Sequence, residues 1–267
     1  MIAPRKKVCA TTQLMSATME KEYIKNEAWA KIFDFLKTIK EIYVRCEKKV
    51  KKFIEAVYWM VRTGAQWREL PRDYGRWNSI FKRFNAWSKK GILEKLFTFF
   101  SKDSDLEYVM IDATIVRAHA CSAGYGIQEN EGLGRSKGGF TTKIHAKVDA
   151  LGNPLKLIVT SGQTSDFIKA EELIGETTGA YVIGDKGYDS DNIRAKIRNQ
   201  KCTPVIPGKS NRKIPVEYDT HIYKERHLVE CFFSKLKFFR RVFSRFDKSV
   251  RNFASFLFFV GAILWLR

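Results

Sequence analysis

The chain has 267 residues, 45% of them apolar, and 48 Lys and Arg against 29 Asp and Glu, a net charge of +19. That length and apolar content support a packed core in one large or two modest domains, and exclude global disorder and collagen-like repeats. A positive excess of this size calls for a polyanionic partner, nucleic acid or an anionic membrane surface.

The charge is unevenly placed. Residues 1–100 hold 22 basic and 10 acidic side chains, residues 101–200 hold 12 and 14, and residues 201–267 hold 14 and 5. Basic flanks around a slightly acidic centre suit a protein that grips phosphates at its edges and holds metal ions in its middle. Taken singly, each basic run also reads as a solvated helix face. The five cysteines (9, 46, 121, 202 and 231) are scattered without a C-x-x-C, which argues against a disulfide framework and a structural zinc site. The opening MIAPRKKVCATTQL lacks the apolar stretch of a secretory signal. The long apolar run 253–266 falls short of the roughly 20 residues a spanning helix needs, so a buried C-terminal helix and a cytoplasmic location without a membrane partner are expected.

Residues 1–19 have no clear periodicity and are left as an unassigned extension. From residue 20, Ala28, Ile32, Phe35, Leu36 and Ile39 recur at helical spacing. A second helix spans 48–62, with Phe53, Ala56, Val57 and Met60 on one stripe, and ends at Thr63-Gly64. Next comes AQWRELPRDYGRWNSIFKRFNAWSKKG. A short helix near 66–70 meets Pro71, a turn covers 73–76, and a basic helix runs from about Trp77 to Lys89. Two helices joined by a short turn, the second carrying Arg76, Lys82 and Arg83, have the layout of a helix-turn-helix. The competing reading is a helical bundle with Trp67, Trp77 and Trp87 in its core. Either way residues 20–104 form an all-α N-terminal unit.

The period then changes. EYVMIDAT (107–114) predicts a strand ending at Asp112, followed by a Gly-rich loop over 124–139. Segments 141–149 and 154–160 predict a hairpin through Leu151-Gly152-Asn153. Helix 167–176, strand 180–184, helix 189–200 capped by Asp189 or Ser190, strand 203–206 and two long helices over 222–241 and 250–266 complete the chain. This order predicts an α/β domain over 105–267, a mixed sheet with flanking helices.

Three carboxylates stand out. Asp112 and Asp185 each follow an apolar strand, where an unpaired carboxylate is costly; two such strands side by side would bring like charges together, a conflict that a divalent cation resolves. Each could instead cap a turn. On a single helix over 223–237, at about 100° per residue, Tyr223, Arg226, Glu230 and Lys237 share an arc of about 60°, and Arg241 falls on the same face, which makes it a further candidate DNA contact. The plain alternative is a solvated stripe with Arg226 and Glu230 as an i,i+4 pair.

The segment YKERHLVECFFSKLK carries Tyr223, Arg226, Glu230 and Lys237 as Y-x2-R-x3-E-x6-K. With IDAT, VIGDKGYDSD, GRSKGGFTTKIH and RTGAQWRELP...YGRWNSIFKRF, it closely resembles the DDE transposases of the bacterial insertion sequence 5 family over residues 20–267. The resemblance implies a ribonuclease-H-like catalytic domain in which Asp112, Asp185 and Glu230 hold two Mg²⁺ ions, with Mn²⁺ able to substitute. It further implies that Tyr223, Arg226 and Lys237 hold DNA phosphates. The expected activity is binding of terminal inverted repeats in double-stranded DNA, metal-dependent strand cleavage and strand transfer into target DNA. The protein is expected to work as a dimer on DNA in the bacterial cytoplasm, at the nucleoid. A non-catalytic repressor and a nuclease without strand transfer are the alternatives.

GLGRSKGG (132–139) lacks the P-loop pattern, although Arg135 and Lys137 are candidate phosphate contacts. His119, His145, His221 and His227 have no metal spacing, and Asp149, Asp166, Asp189 and Asp191 read as turn and capping residues.

Overall fold

The computed structural model describes residues 23–123, 130–136 and 139–267. The extension 1–19, Lys137 and parts of the Gly-rich loop lie outside the described residues.

Four helices come first: α1 (Asn26–Thr38), α2 (Glu47–Thr63), α3 (Trp77–Lys89) and α4 (Ile92–Phe100). In α2, Val50, Phe53, Ile54, Val57, Met60 and Val61 are buried on one face while Lys48, Lys49 and Lys52 stay in solvent. Gly64 ends α2 at φ 69°, a left-handed C-cap that costs little without a side chain; a Cβ there would also sit 3.1 Å from that of Arg240. The predicted helix near 66–70 is a single 3-10 turn (Trp67–Glu69), and a second such turn covers Arg72–Tyr74. Pro71 lies between them and restricts Leu70 before it, so no α-helix develops. The first member of the expected helix-turn-helix is therefore missing as a helix, whereas α3 forms where expected. Helix α4 was not anticipated. Its Ile92, Leu93, Leu96 and Phe97 are buried, and α4 packs against the C-terminal helix.

The sheet has strands β1 (Tyr108–Ala118), β2 (Gly134–Ser136), β3 (Gly139–Val148), β4 (Pro154–Ser161), β5 (Tyr181–Ile183), β6 (Thr203–Val205) and β7 (Ser244–Arg245). β4, β3 and β1 are antiparallel neighbours, and β1, β5 and β6 run parallel. β2 extends the edge of β3, and β7 pairs with the end of β1. Helices α5 (Asp166–Ile174) and α6 (Asp191–Asn199) cover one face, with Ala170, Ile174, Ile193 and Ile197 in a core shared with Val109, Ile111 and Val182. Helices α7 (His227–Lys237) and α9 (Val250–Trp265) cover the other face. There the core runs without a break from α1–α4 through α9 to Met110, Val116, Ile144 and Ala146. The chain is thus a mixed α/β fold with a helical layer fused to one face of its sheet.

Three strand and helix bounds correct the expectations. β1 does not end at Asp112; Thr114, Ile115 and Val116 continue it, pairing with β3 as far as Arg117–Thr141. The helix expected over 222–241 is three pieces: a 3-10 segment (Ile222–Arg226), α7, and a short α8 (Arg240–Phe243) after a break at Phe239, whose backbone is extended at φ −91°, ψ 100°. Asp189 does not cap α6. It is buried, pairs with Arg194 at 2.9 Å and Arg212 at 2.9 Å, and accepts a bond from the Lys209 amide at 2.9 Å. The apolar C-terminal run is a buried helix as expected, and among the described residues no helix is long and apolar enough to cross a membrane.

Candidate active site

Side chains alternate along β1, so Asp112 shares a face with buried Met110 and Val116, the face on which α7 lies. Val229, Phe232, Phe233 and Leu236 anchor α7 to the core. This leaves Glu230 pointing out, with a side chain 56% exposed, beside an Asp112 side chain that is 18% exposed. Arg226 sits between them. Its Nη1 donates to Asp112 Oδ2 at 2.9 Å and its Nη2 to Glu230 Oε1. The i,i+4 pair weighed from the sequence is real, but the same guanidinium also reaches the sheet.

Asp185 approaches from the next strand. The parallel register pairs Met110 with Ile183, the last residue of β5, so Asp185 leaves the sheet two residues beyond that pair, beside the part of β1 that carries Asp112. Asp185 caps the 3-10 turn Lys186–Tyr188 by accepting from the Gly187 amide at 2.8 Å, the structural role considered from sequence. Its charge is still felt by its neighbours. Burial pushes the Asp112 carboxyl up from its ordinary value; the Ala113 amide and Arg226 pull it down, and Asp185 and Asp166 push it up again. Burial opposes charge on Arg226, but Asp112 and Glu230 prevail and hold it firmly cationic. Burial and Asp185 raise the Tyr223 phenol, while Arg226 lowers it.

Asp112 on β1, Asp185 in the turn after β5, Tyr223 and Arg226 in the 3-10 segment and Glu230 on α7 thus come from four separate places in the chain and influence one another electrostatically. Among the described residues, however, no three His, Cys, Asp or Glu side chains stand close enough together to cage a metal ion. The donor chemistry nevertheless fits a hard divalent cation: the acids offer only carboxylate oxygens, and Asp112 carries like-charge repulsion that a cation would relieve. Arg226 supplies that positive charge here.

Other expected contacts divide. Lys237 is exposed at the end of α7, and Arg76 and Lys82 are exposed on α3 and its approach. Arg135 is exposed and stacks its guanidinium 5.6 Å from the Phe140 ring. Arg83 is half-buried, 4.4 Å from the Phe53 ring and 5.1 Å from that of Trp87. Arg241 overturns its assignment as a DNA contact. It is buried, makes two 3.0 Å bonds to Asp247 and one of 2.8 Å to the Ala65 carbonyl, and lies against Trp67 and Phe256. The break at Phe239 turns Arg241 inward, off the face it would occupy on a continuous helix. The sequence reading also missed the electrostatic reach of Asp166, which begins α5, pairs with Lys143 at 2.9 Å and adds to the charge around Asp112. No local signal separates it from an ordinary helix-start acid.

Comparison with known proteins identifies the family. The family described as putative transposase of the IS4/5 family matches residues 24–97, and the transposase DDE domain matches residues 103–265. A putative transposase for insertion sequence element IS6501 from Brucella ovis is 42% identical over 130 residues, which is 48% of this chain and all of that protein. A putative transposase for IS402 from Burkholderia cepacia is 29% identical over 43% of this chain and 58% of its own length. Among solved structures, a piggyBac transposase synaptic complex with hairpin DNA covers 70% of this chain, and this chain spans 48% of it, at 14% identity and a TM-score of 0.38, a likeness too remote to bear on the site. Because the DDE domain spans more than half of its length, the chain belongs to the bacterial DDE transposases, enzymes that cleave and transfer DNA strands with the help of divalent metal.

Proposed function

We propose that Asp112, Asp185 and Glu230 are the catalytic acids of this transposase, that they hold two Mg²⁺ ions, and that the enzyme acts as a dimer on the terminal inverted repeats of its element. The observation that carries this is the meeting of Asp112 and Glu230, 118 positions apart, on one guanidinium, with Asp185, just past the end of the adjoining strand, acting electrostatically on Asp112. The order of strands, three antiparallel then two parallel with helices on both faces, supports a ribonuclease-H-like reading of residues 105–267.

When bound, the metal pair would activate water or a 3′-hydroxyl as nucleophile and stabilise the leaving oxygen of an in-line displacement at phosphorus. Asp112 would contribute a fixed oxygen from β1 and Asp185 one from the turn that follows β5. Glu230 would contribute the third from α7 once Arg226 releases it. Arg226 would then turn to a DNA phosphate, joined by Tyr223 and Lys237, and offset charge that builds on the phosphoryl oxygens. Arg76 and Lys82 near the start of α3, with Arg135 and Lys137, would hold the duplex backbone. The site of action would be the bacterial nucleoid.

The test is cleavage of element-end DNA in Mg²⁺ or Mn²⁺ by the folded Asp112→Asn, Asp185→Asn and Glu230→Gln variants. Each is expected to lose nicking and strand transfer while still binding DNA. Undiminished nicking by any one of them removes that residue from the assignment.

A further inference from the structure

A cavity of about 280 Å³ opens beside the start of α3, lined by Gln66, Trp67, Arg68, Trp77 and Phe81. Trp77 and Phe81 are one helical turn apart on α3, so their rings share a face. Trp67 forms the third aromatic wall, edge-on to Phe81 at 5.2 Å. It is backed by Phe84 at 5.4 Å, Phe256 at 6.1 Å and the buried Arg241 guanidinium at 5.6 Å. Such a wall is held by the core. Trp77, by contrast, is 36% exposed, and Arg68 stacks over it at 5.9 Å.

Three aromatic rings, an amide and a guanidinium recognise a flat heterocycle with polar edges. The surrounding charge says which one. Residues 66–90 carry seven cations, with Arg68, Arg72, Arg76 and Lys82 exposed, against Glu69 and Asp73. A neutral aromatic metabolite gains nothing from that field, whereas a base attached to a phosphate backbone gains from both parts.

We propose that this cavity receives a single unstacked DNA base, with Trp77 and Trp67 as the stacking platform, Gln66 reading its edge and the exposed arginines holding the flanking phosphates. The proposal rests on the DNA-binding role given to α3. A base is extruded most cheaply where it is already unpaired, so the cavity favours DNA with a frayed, nicked or mismatched position over an intact duplex.

The full-length protein is titrated with two duplexes of the same flanking sequence, one fully paired and one carrying an unpaired 2-aminopurine. The unpaired duplex is expected to bind roughly ten-fold tighter. Its 2-aminopurine fluorescence is expected to be quenched on binding. The ratio is expected to hold across a salt titration that weakens both duplexes alike. In Trp77→Ala the preference falls to about two-fold or less and the quenching is lost, with paired-duplex affinity unchanged; Trp77→Phe keeps most of the preference. Arg68→Gln, at an exposed position, reduces the preference without touching the core. Equal affinity of the wild type for both duplexes, or a preference that survives Trp77→Ala, overturns the base site while leaving the DNA-binding reading of α3 intact. Failure to bind either duplex overturns both.

Discussion

Arg226 Nη1 lies 2.9 Å from Asp112 Oδ2 across 114 positions of sequence, while the other arm of the same guanidinium holds Glu230. A partly buried arginine therefore stands between a strand acid and a helix acid, and its charge offsets part of the cost of burying Asp112.

That offset is incomplete. Asp112 has a folded pKa above its ordinary 3.8, so ionising it costs more in the folded protein than in the unfolded chain. Its contribution to stability is fullest below 3.8 and is lost as pH rises through the raised value. At neutral pH the metal-free protein carries a net liability here. Asp112→Asn is expected to raise the melting temperature at pH 7 and to lose that advantage as pH falls toward 3.8. Mg²⁺ is expected to stabilise the wild type at pH 7 but not this variant. Thermal melts over pH, with and without the ion, check both; a less stable Asp112→Asn at pH 7 would mean that Arg226 compensates in full.

His145 gives the opposite dependence. It is fully buried on β3, its Nε2 bonded to Thr160 Oγ1 at 2.8 Å, and burial depresses its pKa from 6.5 to about 4. The ring is neutral in the folded state, so stability is complete above 6.5 and declines as pH falls toward 4. The full span is worth roughly 3 kcal/mol. His145→Gln should flatten the acid limb of the stability curve, and NMR should place the imidazole titration near 4; a midpoint near 6.5 would refute the burial argument.

Arg241 and Lys237 separate structural from DNA-binding cations. Arg241→Ala leaves Asp247 buried without its partner and is expected to cost about 3–5 kcal/mol of stability. Lys237→Ala, on the exposed end of α7, is expected to leave stability unchanged. It should weaken DNA binding evenly across sequences and lower the salt slope by about one. Denaturant titrations and salt-dependent binding of the two variants test this; the reverse pattern would restore Arg241 as the phosphate contact.

Much of this architecture is legible in the residues because local patterns and packing agree. The stripe of α2 and the apolar run of α9 are both read correctly from spacing, since each buries the face its sequence marks. Asp112 is legible as a costly acid on an apolar strand, but its position in mid-strand is not, because the pairing of 114–117 with β3 is a long-range event. The break at Phe239 is hidden for a similar reason: Arg240 and Arg241 suit a helix locally, and only the buried bond to Asp247 and the Ala65 carbonyl turns the chain. Arg226 is the instructive case. Its helical angle predicts the Glu230 contact, whereas the contact to Asp112 depends on how α7 lies against the sheet.

The most direct measurement is Mn²⁺ binding, followed by electron paramagnetic resonance, in the wild type and in the three acid variants on DNA. The account predicts ions bound by the wild type and a large loss of affinity in Asp112→Asn, Asp185→Asn and Glu230→Gln alike. Unchanged Mn²⁺ affinity in all three would contradict it.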